Sequence, residues 1–239
     1  WPNNATVTII GDFKKNEALK LIKKYFGEHK RSENDPPEMY TEEPKQEGPR
    51  RITVKRAGQT GVVGVGHKTP KGLHKDNYAL QLLGKILTDG KTSRFNKNII
   101  DKGLATSVFM YDFPFKDNGM FISYIFLTPD TNHQTVEDLV IDEYKSIINS
   151  GVTTEELRRA IAQTKAGVAF SRDGSYAVAS ALNEAIAIGD WTYYTTFMEC
   201  IDIVSESKIQ EAAEKYLIED NSTTGWFVPK KVEATQDAV

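Results

Sequence analysis

Cysteine is all but absent from this 239-residue chain: Cys200 stands alone, which excludes an internal disulfide framework. Cys200 follows Phe197 and Met198 and precedes Ile201, with no histidine beside it, so it reads as a small core residue and not as a nucleophile. Histidine is scarce as well. His29, His67, His74 and His133 are the only four, and no two lie within four residues of each other. Zinc needs three or four ligands converging at short range, and neither H-E-x-x-H nor H-x-x-E-H occurs, so the histidines read as non-ligating and no metal or catalytic residue is expected in this chain. Long apolar runs are missing, which excludes a helical membrane span. Charge of one sign is missing too: 30 basic residues face 33 acidic ones, interspersed, with a net charge of −3. That excludes the basic footprint nucleic-acid binding requires. No basic-then-apolar leader opens the chain at Trp1. A start at Trp-Pro-Asn-Asn reads as a fragment or processed product, and a periplasmic or secreted location would need a signal peptide before Trp1.

What is present is ordinary globular composition, 39% hydrophobic and 26% charged, in a chain long enough for a substantial core. Residues 5–10 (ATVTII) are β-branched and read as a strand; Gly11 stops it and Asp12 can cap the next helix, whose Ala18, Leu19, Ile22 and Phe26 recur at helical spacing before Gly27. Residues 28–49 hold four prolines and many charges without apolar period, a long polar loop. Residues 51–55 and 62–67 read as a hairpin turning at 59–61. Ala79, Leu82, Leu83, Ile86 and Leu87 mark a strong helix, and residues 93–102 a shorter one ended by Gly103. A second hairpin, expected to be central, spans 104–111 and 120–127 with its turn at 116–119. Capping-box pairs Thr131/Gln134 and Thr153/Glu156 start two helices, an Ala-rich helix or extension covers 177–188, a last helix starts near Ser205, and 223–228 is a final strand. This order predicts an α+β fold, a mixed, largely antiparallel sheet with helices packed on one face. Residues 1–229 read as a single domain and 230–239 as a polar tail.

No catalytic constellation emerges from the residues. The glycine-rich stretch 58–66 fits neither the phosphate-binding loop nor the dinucleotide fingerprint and reads as a strand with close backbone approach. Glu155 and Glu156 sit in a helix's first turn, where negative charge meets the helix dipole. Asn4-Ala-Thr6 and Asn221-Ser-Thr223 match the glycosylation sequon, at a frequency chance allows.

Several ordered segments nonetheless resemble one family. Trp1-Pro-Asn-Asn-Ala-Thr, then Val7-Thr-Ile-Ile-Gly-Asp-Phe13, then Lys24-Tyr-Phe-Gly27 are similar to the opening of the second domain of insulinase/pitrilysin-type zinc metallopeptidases. Leu87-Thr-Asp-Gly-Lys-Thr-Ser-Arg94 resembles that family's L-x-x-G-x-x-S-R, Lys102-Gly-Leu-Ala105 its K-x-G-L-A, and Gly151-Val-Thr-Thr-Glu-Glu-Leu157 its G-x-T-x-E-E-L. Asn221 to Trp226 matches its closing strand, so the likeness runs over nearly the whole chain.

The resemblance implies a non-catalytic domain of a zinc endopeptidase, forming part of a substrate chamber. The zinc, its H-x-x-E-H motif and a downstream glutamate would lie in an upstream catalytic domain, before Trp1, where the metal would activate water. Partners would be that upstream domain, a second homologous half in the same or another chain, and peptide substrate. The family's non-catalytic half offers an arginine and a tyrosine to substrate; those places fall near Ile99 or Ile100 and on Thr106 here, so both are lacking. The strand after Gly103 would act as a substrate-binding edge, formed by Ser107, Val108, Phe109, Met110 and Tyr111. Two other readings stand beside this one: a structural subunit of the same fold, like processing-peptidase or respiratory-complex core proteins, and an unrelated α+β binding module.

Overall fold

The computed structural model describes residues 1–38 and 44–230. The expected polar loop therefore lies partly, and the expected tail beyond 230 wholly, outside the described residues. In chain order the elements are α1 (Lys15–Phe26), β1 (Arg50–Ala57), β2 (Val62–Lys71), α2 (Asp76–Thr88), β3 (Ala105–Phe113), β4 (Asn118–Leu127), α3 (His133–Ser150), α4 (Thr154–Ser171), α5 (Ser175–Ile188), α6 (Thr192–Asp202), α7 (Glu206–Tyr216) and β5 (Ser222–Lys230). The strands form one mixed sheet in the order β1-β5-β2-β4-β3, and the fold is α+β, as the sequence predicts.

Alternation sets the two faces of the sheet. Val63, Val65, His67 and Thr69 on β2, and Phe121, Ser123, Ile125 and Leu127 on β4, are buried toward the helices. Helix α2 is the central core element: Leu80, Leu82, Leu83 and Leu87 are fully buried, and the apolar stripe read from the sequence widens to most of the helix. A helix covered on nearly all sides needs no polar face.

Several expectations need correction. β1 and β2 do not pair as a hairpin; β5 lies between them, parallel to β1 and antiparallel to β2. A parallel pair needs a long crossover, supplied here by everything between the two strands, and no local turn signal reveals it. The β3–β4 hairpin forms, but its first strand is at the sheet edge and not central. Glycine is required at position 119, at the start of β4, because a Cβ there would stand 2.3 Å from the Phe113 carbonyl oxygen. Residues 93–102 hold a short helix as expected, but one whose main part, Asn96–Ile100, is of π type. The α3 cap is Asn132, whose side chain accepts from the Gln134 and Thr135 N–H groups; Thr131 instead hydrogen-bonds Thr128. The Thr153/Glu156 capping box is formed as expected. α5 is a separate helix, divided from α4 at Gly174 with φ +87°, and α6 was not foreseen. Residues 5–10, expected as a strand, pair with no strand among the described residues. α1 starts after Lys14, not at an Asp12 cap, and buries no residue.

Candidate functional site

β3 is one of the two edge strands of the sheet, so one line of its backbone N–H and C=O groups faces outward. Its residues alternate. Val108, Met110 and Asp112 turn toward α2, while Ser107, Phe109, Tyr111 and Phe113 turn to the face that carries no helices. The outward aromatics stack in a row: Phe109 on Tyr111 at 6.5 Å, Tyr111 on Phe113 at 5.7 Å, and Phe113 on Phe115 at 6.0 Å between ring centres. Phe126 meets Phe109 edge-on at 5.8 Å and Tyr124 meets Tyr111 at 5.9 Å, so β4 adds a second aromatic row beneath the first. Phe109 and Tyr111 are still 45% and 46% exposed, open to a further layer.

Beyond Tyr124 the side chains vanish. Gly64 and Gly66 on β2 and Gly225 on β5 face the same way, leaving a trough of about 680 Å³ walled by Val54, Phe227, Tyr124, Ile122 and Met120. The glycine-rich stretch of the sequence thus lowers the sheet surface and holds no phosphate loop. The whole arrangement is an apolar, aromatic face that ends at an unpaired strand edge. Such an edge can add an extended peptide through its backbone while alternate side chains sort onto the two faces.

One charged group sits at this edge. Both carboxylate oxygens of Asp112 are buried without a hydrogen-bond partner, and burial pushes its carboxyl up to about 7. Its pocket, between β3 and α2, is lined also by Gln81, Lys85 and Asp89. Lys85 and Asp89 are paired to each other at 2.9 Å, and Gln81 donates to the Tyr193 hydroxyl at 2.9 Å. Burial, with the Asp112 charge adding to it, raises the Tyr193 phenol to about 12. The sequence offered a faint sign of Asp112: it is the one carboxylate at the helix-facing parity of an otherwise apolar strand.

The other residues singled out in the sequence are scattered. His67 is in the core, 2% exposed, its ring edge-on to Tyr144 at 5.4 Å, and burial pushes it down to about 4. Tyr144 in turn hydrogen-bonds Ser123. His74 Nδ1 accepts from the Asp76 N–H at 3.2 Å, His133 Nε2 lies 2.9 Å from the Phe227 carbonyl, and His29 is exposed beside Phe26. Among the described residues no group of three or more His, Cys, Asp or Glu comes together as a metal cage. Cys200 is half-buried on α6 against Tyr78. Ile99 is fully buried, and the Thr106 hydroxyl, at a bulge in β3, donates to the Phe126 carbonyl at 3.2 Å.

Two of the quoted motifs meet in space. Arg94, from L-T-D-G-K-T-S-R, grips Glu156, from G-V-T-T-E-E-L, through Nε at 2.7 Å and Nη2 at 2.9 Å, and Nη2 also reaches the Gly151 carbonyl at 3.2 Å. Burial opposes ionisation of Glu156, but the Arg94 guanidinium and the Thr153 N–H outweigh it and hold the carboxyl at about 2. Glu156 thus caps α4 and ties it to the segment after α2, a structural role. A second cluster escaped the sequence reading: Glu137 accepts from both Arg51 and the Trp226 indole N–H, the latter at 2.8 Å, linking β1, β5 and α3.

A family described as the peptidase M16 inactive domain matches residues 2–164. The zinc protease PqqE of Helicobacter pylori is 26% identical over 231 residues, which is 95% of this chain and 52% of that protein. The crystal structure of a protease from Helicobacter pylori superposes with a TM-score of 0.85 at 26% identity, covering 92% of this chain and 54% of that one. A chain of complex III2 from Candida albicans superposes with a TM-score of 0.71 at 16% identity over 91% of this chain and 53% of its own, a likeness of fold. The chain spans about half the length, or less, of the curated relatives it matches.

Proposed function

The chain belongs to the peptidase M16 family, as its inactive domain, and from that premise we propose that it serves as the non-catalytic domain of a zinc-dependent endopeptidase. In this reading residues 1–229 act as one domain beside an upstream catalytic domain that holds the zinc, and a second homologous half closes a chamber around peptide substrate. The fragment by itself is expected to be inactive, since among the described residues no group of three or more His, Cys, Asp or Glu comes together to hold a metal. The edge strand formed by Ser107, Val108, Phe109, Met110 and Tyr111 holds substrate by backbone pairing. The observation that carries this role is the combination of a free strand edge with the stacked Phe109-Tyr111-Phe113 row, an apolar surface indifferent to peptide sequence.

Zinc per chain, measured by elemental analysis on the full-length protein and on this chain side by side, tests the reading. One zinc on the former and none on the latter, with peptidase activity in the former alone, is the expected result. No zinc on either would replace this reading with a structural subunit of the same fold, the role that the likeness to a complex III2 chain favours.

A further inference from the structure

The aromatic face of β3 suits apolar side chains of any kind, but the opposite face of the same strand is more selective. A groove of about 520 Å³ runs there between β3 and α2. Val108, Met110 and Asp112 border it from the strand, and Gln81, Lys85 and Asp89 from the helix. Helix and strand come close at Gly84, where a Cβ would stand 3.1 Å from Met110 Cγ. A peptide that pairs with the open edge of β3 places every second side chain on this side of the sheet, about 7 Å apart. Those side chains would enter the groove beside Val108, Met110 and Asp112 in turn.

Asp112 sets the chemistry of the groove. Buried carboxylates are ordinarily paired or hydrogen-bonded, yet neither oxygen of Asp112 has a partner. Its surroundings supply none. The residue across from it on β4 is Phe121, fully buried and without a side-chain donor. Pro114, which borders the same groove, has no N–H to give. Gln81 donates to the Tyr193 hydroxyl at 2.9 Å, and Lys85 is held by Asp89 at 2.9 Å. The chain therefore builds a two-oxygen acceptor beside an open strand edge and brings no cation to it. A buried carboxylate left unpaired destabilises the fold, so its use lies in what binds it.

Two vacant oxygens on one carboxylate match the parallel N–H donors of a guanidinium better than the single point charge of an ammonium. We propose that Asp112 binds an arginine side chain of the peptide that pairs with β3, so that the edge selects one basic residue on its helix-facing side. The Phe109-Tyr111-Phe113 face remains tolerant of sequence. The peptide residue two positions from the arginine would lie beside Met110 and Gly84, where an apolar side chain fits. This inference rests on the reading of β3 as a peptide-binding edge. It does not depend on zinc, and it gives Asp112 a part in choosing the peptide and none in cleaving it.

Fluorescence anisotropy of labelled ten-residue peptides with the full-length protein tests this, with a chelator present so that nothing is cleaved. At pH 8 Asp112 is ionised even in the vacant groove. Each peptide is built of alanine, threonine and valine, blocked at both ends, and carries one arginine or, in its twin, one citrulline at the same central place. Citrulline keeps the shape and removes the charge, while the blocked amino terminus removes a rival cation. The arginine peptide should bind about tenfold or more tightly than its twin, and that ratio should fall to near one in D112N. A ratio near one in the unaltered protein, or a ratio unchanged in D112N, would overturn the proposal and leave the edge reading in place. Failure of every peptide to bind would overturn both.

Discussion

Replacing Asp112 by asparagine should stabilise this protein at high pH and do little at low pH. Both oxygens of Asp112 are buried without partners, and its carboxyl is raised from 3.8 to about 7. A group whose folded-state pKa is raised contributes stability fully present below its unfolded value and lost as pH rises through the folded one. Here that window runs from about pH 4 to pH 7. A shift of roughly three pH units corresponds to about 4 kcal/mol at 1.36 kcal/mol per unit, an upper bound on the penalty of ionising Asp112 in place. Asparagine keeps the shape without the charge but leaves its own amide poorly bonded, which returns about 1–3 kcal/mol. The expected net gain is therefore about 1–3 kcal/mol at pH 8, shrinking to zero or turning negative by pH 4. Urea unfolding of both proteins at pH 5, 6, 7 and 8 reads it directly. Taking the difference between them removes the His67 titration, which is common to both. A difference in stability that stays flat from pH 5 to pH 8 would refute the argument and mean that Asp112 is hydrated or paired.

H67L should change the acid limb. The imidazole is lowered from 6.5 to about 4, so its stability contribution is complete above pH 6.5 and is lost as pH falls toward 4. At pH 5 the protonation penalty is about 2 kcal/mol, so the leucine variant should gain about that much relative to wild type between pH 7 and pH 5, seen as a smaller drop in Tm. E156A removes an α4 cap and leaves Arg94, with a side chain only 15% exposed, without its main partner; a loss of about 2–4 kcal/mol is expected in chemical denaturation, and a change within 0.5 kcal/mol would mean that the pair is dispensable. F109E places a charge within the aromatic row and should weaken peptide binding by the full-length protein about tenfold or more while its zinc content is unchanged. Unaltered peptide affinity would remove β3 from the substrate site.

Much of this protein was legible along the chain because its signals are local. The α2 stripe from Ala79 to Leu87, the Thr153/Glu156 capping box and the β3–β4 hairpin each depend on residues a few positions apart, and each is present as read. The ordered motifs from Trp1 to Trp226 pointed to the family for the same reason: each is a short run of adjacent residues. What joins distant segments was not legible. Nothing near residues 50–67 says that β5 will enter between β1 and β2, because strand partners are chosen by the packing of the whole sheet. That choice put β3 at the edge, where a local reading of its apolar hairpin partner suggested the centre. It also set Arg94 on Glu156, 62 residues away, and turned Asp112 toward α2 with no partner. The sequence by itself determined most of the elements and the absence of a zinc motif, since propensity, capping and motif spacing are properties of neighbours. Only the tertiary structure decided which strands lie at the sheet edges and which polar groups meet, because those outcomes depend on what lies across the sheet.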